Sequence, residues 1–215
     1  MYNFFFKSSQ ENFMKIAMFG GTFDPFHLGH LAMAKYILRE NFAEKILFVP
    51  ASLPPHKEGL NISPYEIRRK SVELSIAGLE NMEISDIECE REGRSYSIDT
   101  LCALQERYPA DRIVMLIGGD SLATLHLWHR VHELVARFPI LTMPRPDVFP
   151  EKALASGFWS DAERQMLLSG YLKDAPLVDA ASTEIRKQLR NGADLAGSFL
   201  APAVSDWIRQ QKIYT

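Results

Sequence analysis

Residues 16–30 read IAMFGGTFDPFHLGH, and the fold turns on how this stretch is built. Ile16–Phe19 is a short apolar run of the kind that forms a buried strand. Two glycines follow, then a turn at Asp24-Pro25, then apolar residues at Leu31, Ala34, Ile37 and Leu38, the stripe of a helix lying on a sheet. Strand, turn and helix in that order predict the opening of a parallel α/β sheet, whose ligands sit at the carboxyl ends of the strands. Gly20 and Gly21 lack Cβ atoms and let a phosphate approach the backbone N–H groups. His27 and His30 lie at i and i+3 and face one side of the first helical turn, with Gly29 between them keeping the surface low. The helix start itself favours an anion. Two imidazoles there suit a phosphate whose charge grows during a reaction.

Outward from this stretch, apolar runs alternate with segments of helical period. Strands are predicted at Ile16–Phe19, Ile46–Val49, Met82–Ile84, Arg112–Ile117 and Ile140–Met143, with a weaker one at Leu177–Asp179. Ser63-Pro64-Tyr65-Glu66 reads as a helix start with serine as N-cap and proline first in the helix, and Gly78 as that helix's left-handed end. Ser182 reads as the cap of a helix that stops at Asn191-Gly192, and a further helix starts at Pro202. The expected architecture is α/β: a Rossmann-like doubly wound parallel sheet of five to six strands with a small helical C-terminal part. Residues 1–14 read as a peripheral extension, with Met14 a candidate start, and residues 15–215 as a single domain.

With 47% hydrophobic residues among 215, the chain can build a core without disulfide or metal staples. A net charge of -3 gives no global pull toward nucleic acid or anionic membrane. A phosphate-rich ligand therefore needs a local cluster of donors. Cys89 and Cys102 show no metal or redox spacing, which suits a reducing cytoplasm. No apolar run approaches membrane-spanning length.

Other readings of the opening stretch fit less well. Its glycines match neither GxGxxG nor the P-loop pattern, and the histidine pair has neither HExxH spacing nor a third zinc ligand nearby. A lone helical histidine is usually structural, but here glycines, helix start and both histidines converge at one strand end. His126, His129 and His132 recur at steps of three, a spacing that drifts around a helix and is read as coincidence.

HLGH resembles the HxGH signature of the nucleotidyltransferase superfamily related to class I aminoacyl-tRNA synthetases, and GGTFDPFHLGH is similar to the longer form found in nicotinate-nucleotide adenylyltransferases. The resemblance runs from about Lys15 to the C-terminus and takes in Pro54-Pro55-His56-Lys57, Ser95–Thr100, Gly118-Gly119-Asp120-Ser121 with Trp128, and Ser182–Arg186. It implies adenylyl transfer: the phosphate of nicotinate mononucleotide attacks the α-phosphorus of ATP, giving nicotinate adenine dinucleotide and pyrophosphate in NAD biosynthesis. The nucleophile is already an anion, so positioning and charge stabilisation can carry the catalysis. His27, His30 and Arg186 are implied as catalytic. Gly20, Gly21, Thr22, Phe23, Gly29, Gly118, Asp120, Ser182 and Thr183 are implied to bind ATP, with Asp120 accepting from ribose hydroxyls. Trp128 is implied to stack on the pyridine ring, with the backbone near Ser97 and His129 receiving its carboxylate. Thr100, Lys57 and Arg145 complete the expected substrate contacts, and Lys57 and Arg145 are equally readable as surface cations. Mg²⁺ is expected on the ATP phosphates, with no all-protein metal site; Asp24 is a ligand candidate that can equally fix the turn before Pro25. Ala180-Ala181 stands where the family usually has a serine and an apolar residue, leaving Ser182 and Thr183 as the matching pair.

The rival readings are an adenylyltransferase acting on nicotinamide mononucleotide or phosphopantetheine, and a non-catalytic nucleotide-binding regulator. Transition-state donors of the HLGH kind serve no purpose in a mere binder. The oligomeric state is left open, a homo-oligomer included.

Overall fold

The computed structural model describes residues 13–53, 62–91, 93–177 and 179–214. The chain runs β1 (Lys15–Gly21), α1 (Leu28–Arg39), β2 (Lys45–Pro50), α2 (Tyr65–Ile76), β3 (Met82–Ile84), α3 (Ser97–Arg107), β4 (Arg112–Gly118), α4 (Gly119–Thr124), α5 (Val131–Arg137), β5 (Ile140–Met143), α6 (Pro150–Ala153), α7 (Asp161–Ser169), α8 (Ser182–Arg190) and α9 (Pro202–Gln211). All four strand pairings are parallel and the order is β3-β2-β1-β4-β5. The order reverses at β1, so the crevice between β1 and β4 is the switch point at which open α/β sheets bind ligands.

Strand alternation divides the core. Ala17, Phe19, Val114 and Leu116 face α1 and α2, whereas Ile16, Met18, Ile113 and Met115 face α3, α5 and α7. Burial on both faces explains why the strands read as continuous apolar runs. A third cluster, formed by Ile185, Leu195, Leu200, Val204 and Ile208, joins α8 to α9 and packs on Leu74 of α2. This is the expected small helical part. It also ties to the first helix: the Leu28 N–H at the start of α1 donates to the Phe199 carbonyl at 2.8 Å.

Three expectations are corrected. Leu177 and Asp179 lie in no strand, and Val178 lies outside the described residues. The chain instead meets the edge of β5 earlier: Thr142 N–H donates to the Gly170 carbonyl and Leu172 N–H to the Thr142 carbonyl, both at 2.9 Å. Gly170 makes this approach feasible, since a Cβ there would fall 1.9 Å from the Ile140 carbonyl oxygen. Secondly, α2 begins one residue later than expected, with Pro64 rather than Ser63 in the cap position. Ser63 is engaged elsewhere, its N–H donating to Asp24 Oδ2 at 3.2 Å and its carbonyl accepting from Arg68 Nε at 2.9 Å. Thirdly, Ser182 is the first residue of α8 and not its cap; its hydroxyl donates to the Pro25 carbonyl at 3.0 Å. Gly78, Asn191-Gly192 and Pro202 end and start their helices as expected.

Candidate active site

At the carboxyl edge of β1 and β4 opens a cleft of about 420 Å³. Gly20, Gly21, Thr22, Phe23, His27 and His30 line it from the first motif. A Cβ at Gly21 would come within 2.7 Å of the Phe23 ring, so the turn closes this tightly only with glycine. Phe23 itself takes a left-handed backbone (φ 52°) and packs edge-on to His30, with centroids 5.1 Å apart.

The two histidines form a capping box. His27 is the N-cap of α1, its Nδ1 accepting from the His30 N–H at 3.3 Å, while His30 Nδ1 accepts from the His27 N–H at 3.2 Å. The rings stack with centroids 3.6 Å apart. Because both Nδ1 atoms accept, each neutral ring carries its proton on Nε2. Burial, and secondarily the Arg145 charge, lowers the His27 pKa to about 4. Burial, then His27 and Arg145, holds His30 well below its ordinary value. Both imidazoles are thus neutral donors near pH 7. The helix start is less open to an anion than its sequence suggests, since the amides of Leu28 and His30 are already engaged.

Cations arrive from two further elements. Arg145, just past β5, donates from Nη1 to the Ala180 carbonyl at 3.0 Å and lies 3.5 Å from Asp120 Oδ1. Arg186 of α8 donates to the Asp24 carbonyl at 2.6 Å and to Thr183 Oγ1 at 3.4 Å. Ser182, Thr183 and Arg186 line the wall formed by α8. Gly118 and Asp120 line the β4 edge, with the Asp120 side chain 67% exposed.

Ser97, Trp128 and His129 gather at the end of the cleft formed by α3 and the segment after α4. His129 stacks on Tyr96 with centroids 4.2 Å apart. Ser97 opens α3, where the first amides lack intrahelical partners. Two expected residues are not brought to the cleft. Gly29 sits in the first turn of α1 without lining it. Thr100 is fully buried, donating to Glu88 Oε1 and accepting from Arg91 Nη2, both at 2.8 Å. A threonine so engaged supports the wall and does not touch its contents. Lys57 lies outside the described residues.

Glu88 lines the cleft without having been singled out in the sequence, and Ser95 and Tyr96, quoted there only as part of a segment, line it beside Ser97. The signal for Glu88 was available only in three dimensions: a buried carboxylate between Thr100 and the Ser52 N–H. Asp24 is not poised for a metal. It is 3% exposed, and its two oxygens accept from Tyr214 Oη at 2.6 Å and from the Ser63 N–H. Among the described residues no group of three or more His, Cys, Asp or Glu side chains could hold a metal ion. The three spaced histidines form no cluster of their own: His126 and His132 both meet the Phe158 ring, His132 also pairs with Glu163, and His129 stacks on Tyr96.

A parallel sheet with a cleft at its switch point, two neutral imidazole donors and two arginines in its lining define a nucleotidyltransferase. Residues 18–188 match the Cytidylyltransferase-like family. Two curated relatives are each named probable nicotinate-nucleotide adenylyltransferase. That of Caldicellulosiruptor saccharolyticus is 33% identical over 201 residues, covering 94% of this chain and 99% of its own. That of Geobacter sulfurreducens is 35% identical over 216 residues, covering 94% and 98%. A crystal structure of a putative nicotinate-nucleotide adenylyltransferase from Vibrio parahaemolyticus shares the fold with a TM-score of 0.67 at 24% identity, covering 94% of this chain and 95% of that one. The Plasmodium falciparum nicotinic acid mononucleotide adenylyltransferase, solved with NaAD, superposes with a TM-score of 0.71 at 19% identity, over 94% and 97%. The chain belongs to the nicotinate-nucleotide adenylyltransferases.

Proposed function

We propose that the chain joins the phosphate of nicotinate mononucleotide to the α-phosphorus of MgATP, releasing pyrophosphate and forming nicotinate adenine dinucleotide. The observation that carries this reading is the capping box, which fixes two neutral Nε2–H donors beside a cleft with Arg145 and Arg186 at its walls. As the α-phosphorus becomes pentacoordinate, negative charge builds on its oxygens. Donors already held in place stabilise that charge without reorganisation. Remaining neutral also serves the nucleophile. An imidazolium there would bind the ground-state phosphates just as well and so raise affinity more than rate.

Arg186 and Thr183 face the leaving pyrophosphate, and Gly118 and Asp120 receive the adenosine, with Asp120 accepting from ribose. The pyridine ring lies on Trp128, its carboxylate toward the first amides of α3 at Ser97, where a helix N-terminus favours an anion over a neutral carboxamide. Mg²⁺ enters on the triphosphate as part of the substrate. Among the described residues no helix is long and apolar enough to cross a membrane. The proposed setting is the cytoplasm, where the nucleotide substrates of this reading are dissolved.

The test is pyrophosphate release with ATP and Mg²⁺, offering nicotinate mononucleotide, nicotinamide mononucleotide and phosphopantetheine separately. Release with the nicotinate nucleotide, well above that with the amide, is expected. Release with phosphopantetheine alone would overturn the assignment of Trp128 and Ser97 while leaving adenylyl transfer intact.

A further inference from the structure

We propose that Tyr214 is a positioning residue for the phosphate cluster: its hydroxyl satisfies the Asp24 carboxylate and thereby leaves the Arg186 guanidinium turned to the cleft. This rests on the adenylyl-transfer reading above. Asp24 is a buried carboxylate beside two arginines, and such a group draws the nearest donor to any oxygen left bare. Oδ2 takes the Ser63 N–H, and Oδ1 takes the Tyr214 hydroxyl at 2.6 Å. Arg68 is buried and held by all three of its nitrogens, donating to the carbonyls of Thr22 at 2.8 Å, Ala51 at 2.7 Å and Ser63 at 2.9 Å. Arg186, bonded to the Asp24 carbonyl and to Thr183 Oγ1, is the other arginine beside the carboxylate. Its Nη1 donates to the Asp24 backbone carbonyl at 2.6 Å and comes no nearer to the carboxylate than 3.9 Å, at Oδ2, with Oδ1 held by Tyr214. With Oδ1 left without a donor, the guanidinium would swing onto the carboxylate and away from the triphosphate.

The route of the chain supports a dedicated contact. Beyond α9, Lys212 (φ 51°) and Tyr214 (φ 63°) both adopt the left-handed region, which costs an L-residue about 1 kcal/mol or more each. The two bends bring the ring back across α2 to the first motif. Burial and the Asp24 bond raise the pKa of the Tyr214 hydroxyl far above its ordinary value, so it remains a donor at every working pH.

The experiment compares Tyr214→Phe, Arg186→Ala and the double variant for KM(ATP), KM of the acceptor nucleotide and Tm, with calorimetric ATP affinity in Mg²⁺ alongside. Tyr214→Phe is expected to raise KM and Kd for ATP about 5- to 10-fold and to leave the acceptor KM unchanged. In the Arg186→Ala background the same change should move ATP affinity less than twofold, because the group it acts through is gone. A merely structural role would lower the active fraction and Tm with both KM values intact, and that result overturns the proposal. So does an equal loss of ATP affinity in both backgrounds. The calorimetric arm needs no turnover: a chain inactive toward the chosen acceptor would sink the functional reading, while Tyr214 would still be judged by ATP binding.

Discussion

At the scale of single residues, the site depends on two histidines kept from charging. His27 titrates near 4 in the folded chain against an ordinary 6.5. Its folded pKa is lowered, so between pH 6.5 and 4 the unfolded chain binds more protons and stability falls as pH falls. The full window is worth on the order of 3 kcal/mol. Urea midpoints should therefore drop between pH 7 and 5, and drop less in His27→Asn; identical slopes would show that His27 titrates normally. His30→Ala should cut kcat on the order of 10²–10³-fold with ATP affinity largely kept, as measured by pyrophosphate release beside calorimetry. Equal loss of turnover and binding would demote His30 to a ground-state contact. These two histidines were legible because glycines, helix start and imidazole spacing coincide within one stretch. Thr100 is not brought to the cleft: its neighbours Ser97 and Tyr96 line it, and one further turn of helix carries position 100 into the core.

At the scale of elements, strand runs and helix ends were readable wherever local chemistry alone sets them, as at Gly78, Gly192 and Pro202. The errors fall where a distant segment competes. Ser63 and Ser182 both look like caps, yet the Asp24 carboxylate takes the amide of the first and the Pro25 carbonyl takes the hydroxyl of the second. The sixth strand is replaced by a contact between Gly170 and the edge of β5 that no periodicity announces. Gly170→Ala drives a Cβ into backbone, which cannot rotate aside, and should destabilise by about 1–3 kcal/mol. Because the strain lies at the end of α7, KM for ATP should not change in the material that remains folded. Thermal melts beside initial rates check this, and a raised KM would place β5 and Arg145 under the control of α7. At the far end of the cleft, Trp128→Ala should raise KM of the acceptor nucleotide about tenfold or more through lost stacking and leave KM(ATP) near its original value. The reverse pattern would assign the indole to adenine.

Across the whole molecule, two cores on opposite faces of one sheet give a rigid floor, and the helical part around Val204 closes one side. The parallel sheet follows from the rhythm of alternating apolar and helical segments, which is why the α/β class could be read at once, whereas the strand order β3-β2-β1-β4-β5 could not. The grouping of Asp24, Arg68, Arg186 and Tyr214 could not be read, since nothing in a linear chain announces which charges share a buried spot. Those contacts have a consequence for biosynthesis. The Arg186–Asp24 bond joins residues 162 positions apart and the Tyr214–Asp24 bond residues 190 apart. A ribosome threading this chain delivers the histidine turn well before the residues of α8 and Tyr214 that close around Asp24. Nascent chains can thus lay down much of the sheet before the wall that carries Arg186 is in place, and the cleft is complete only once residues 186 to 214 have emerged.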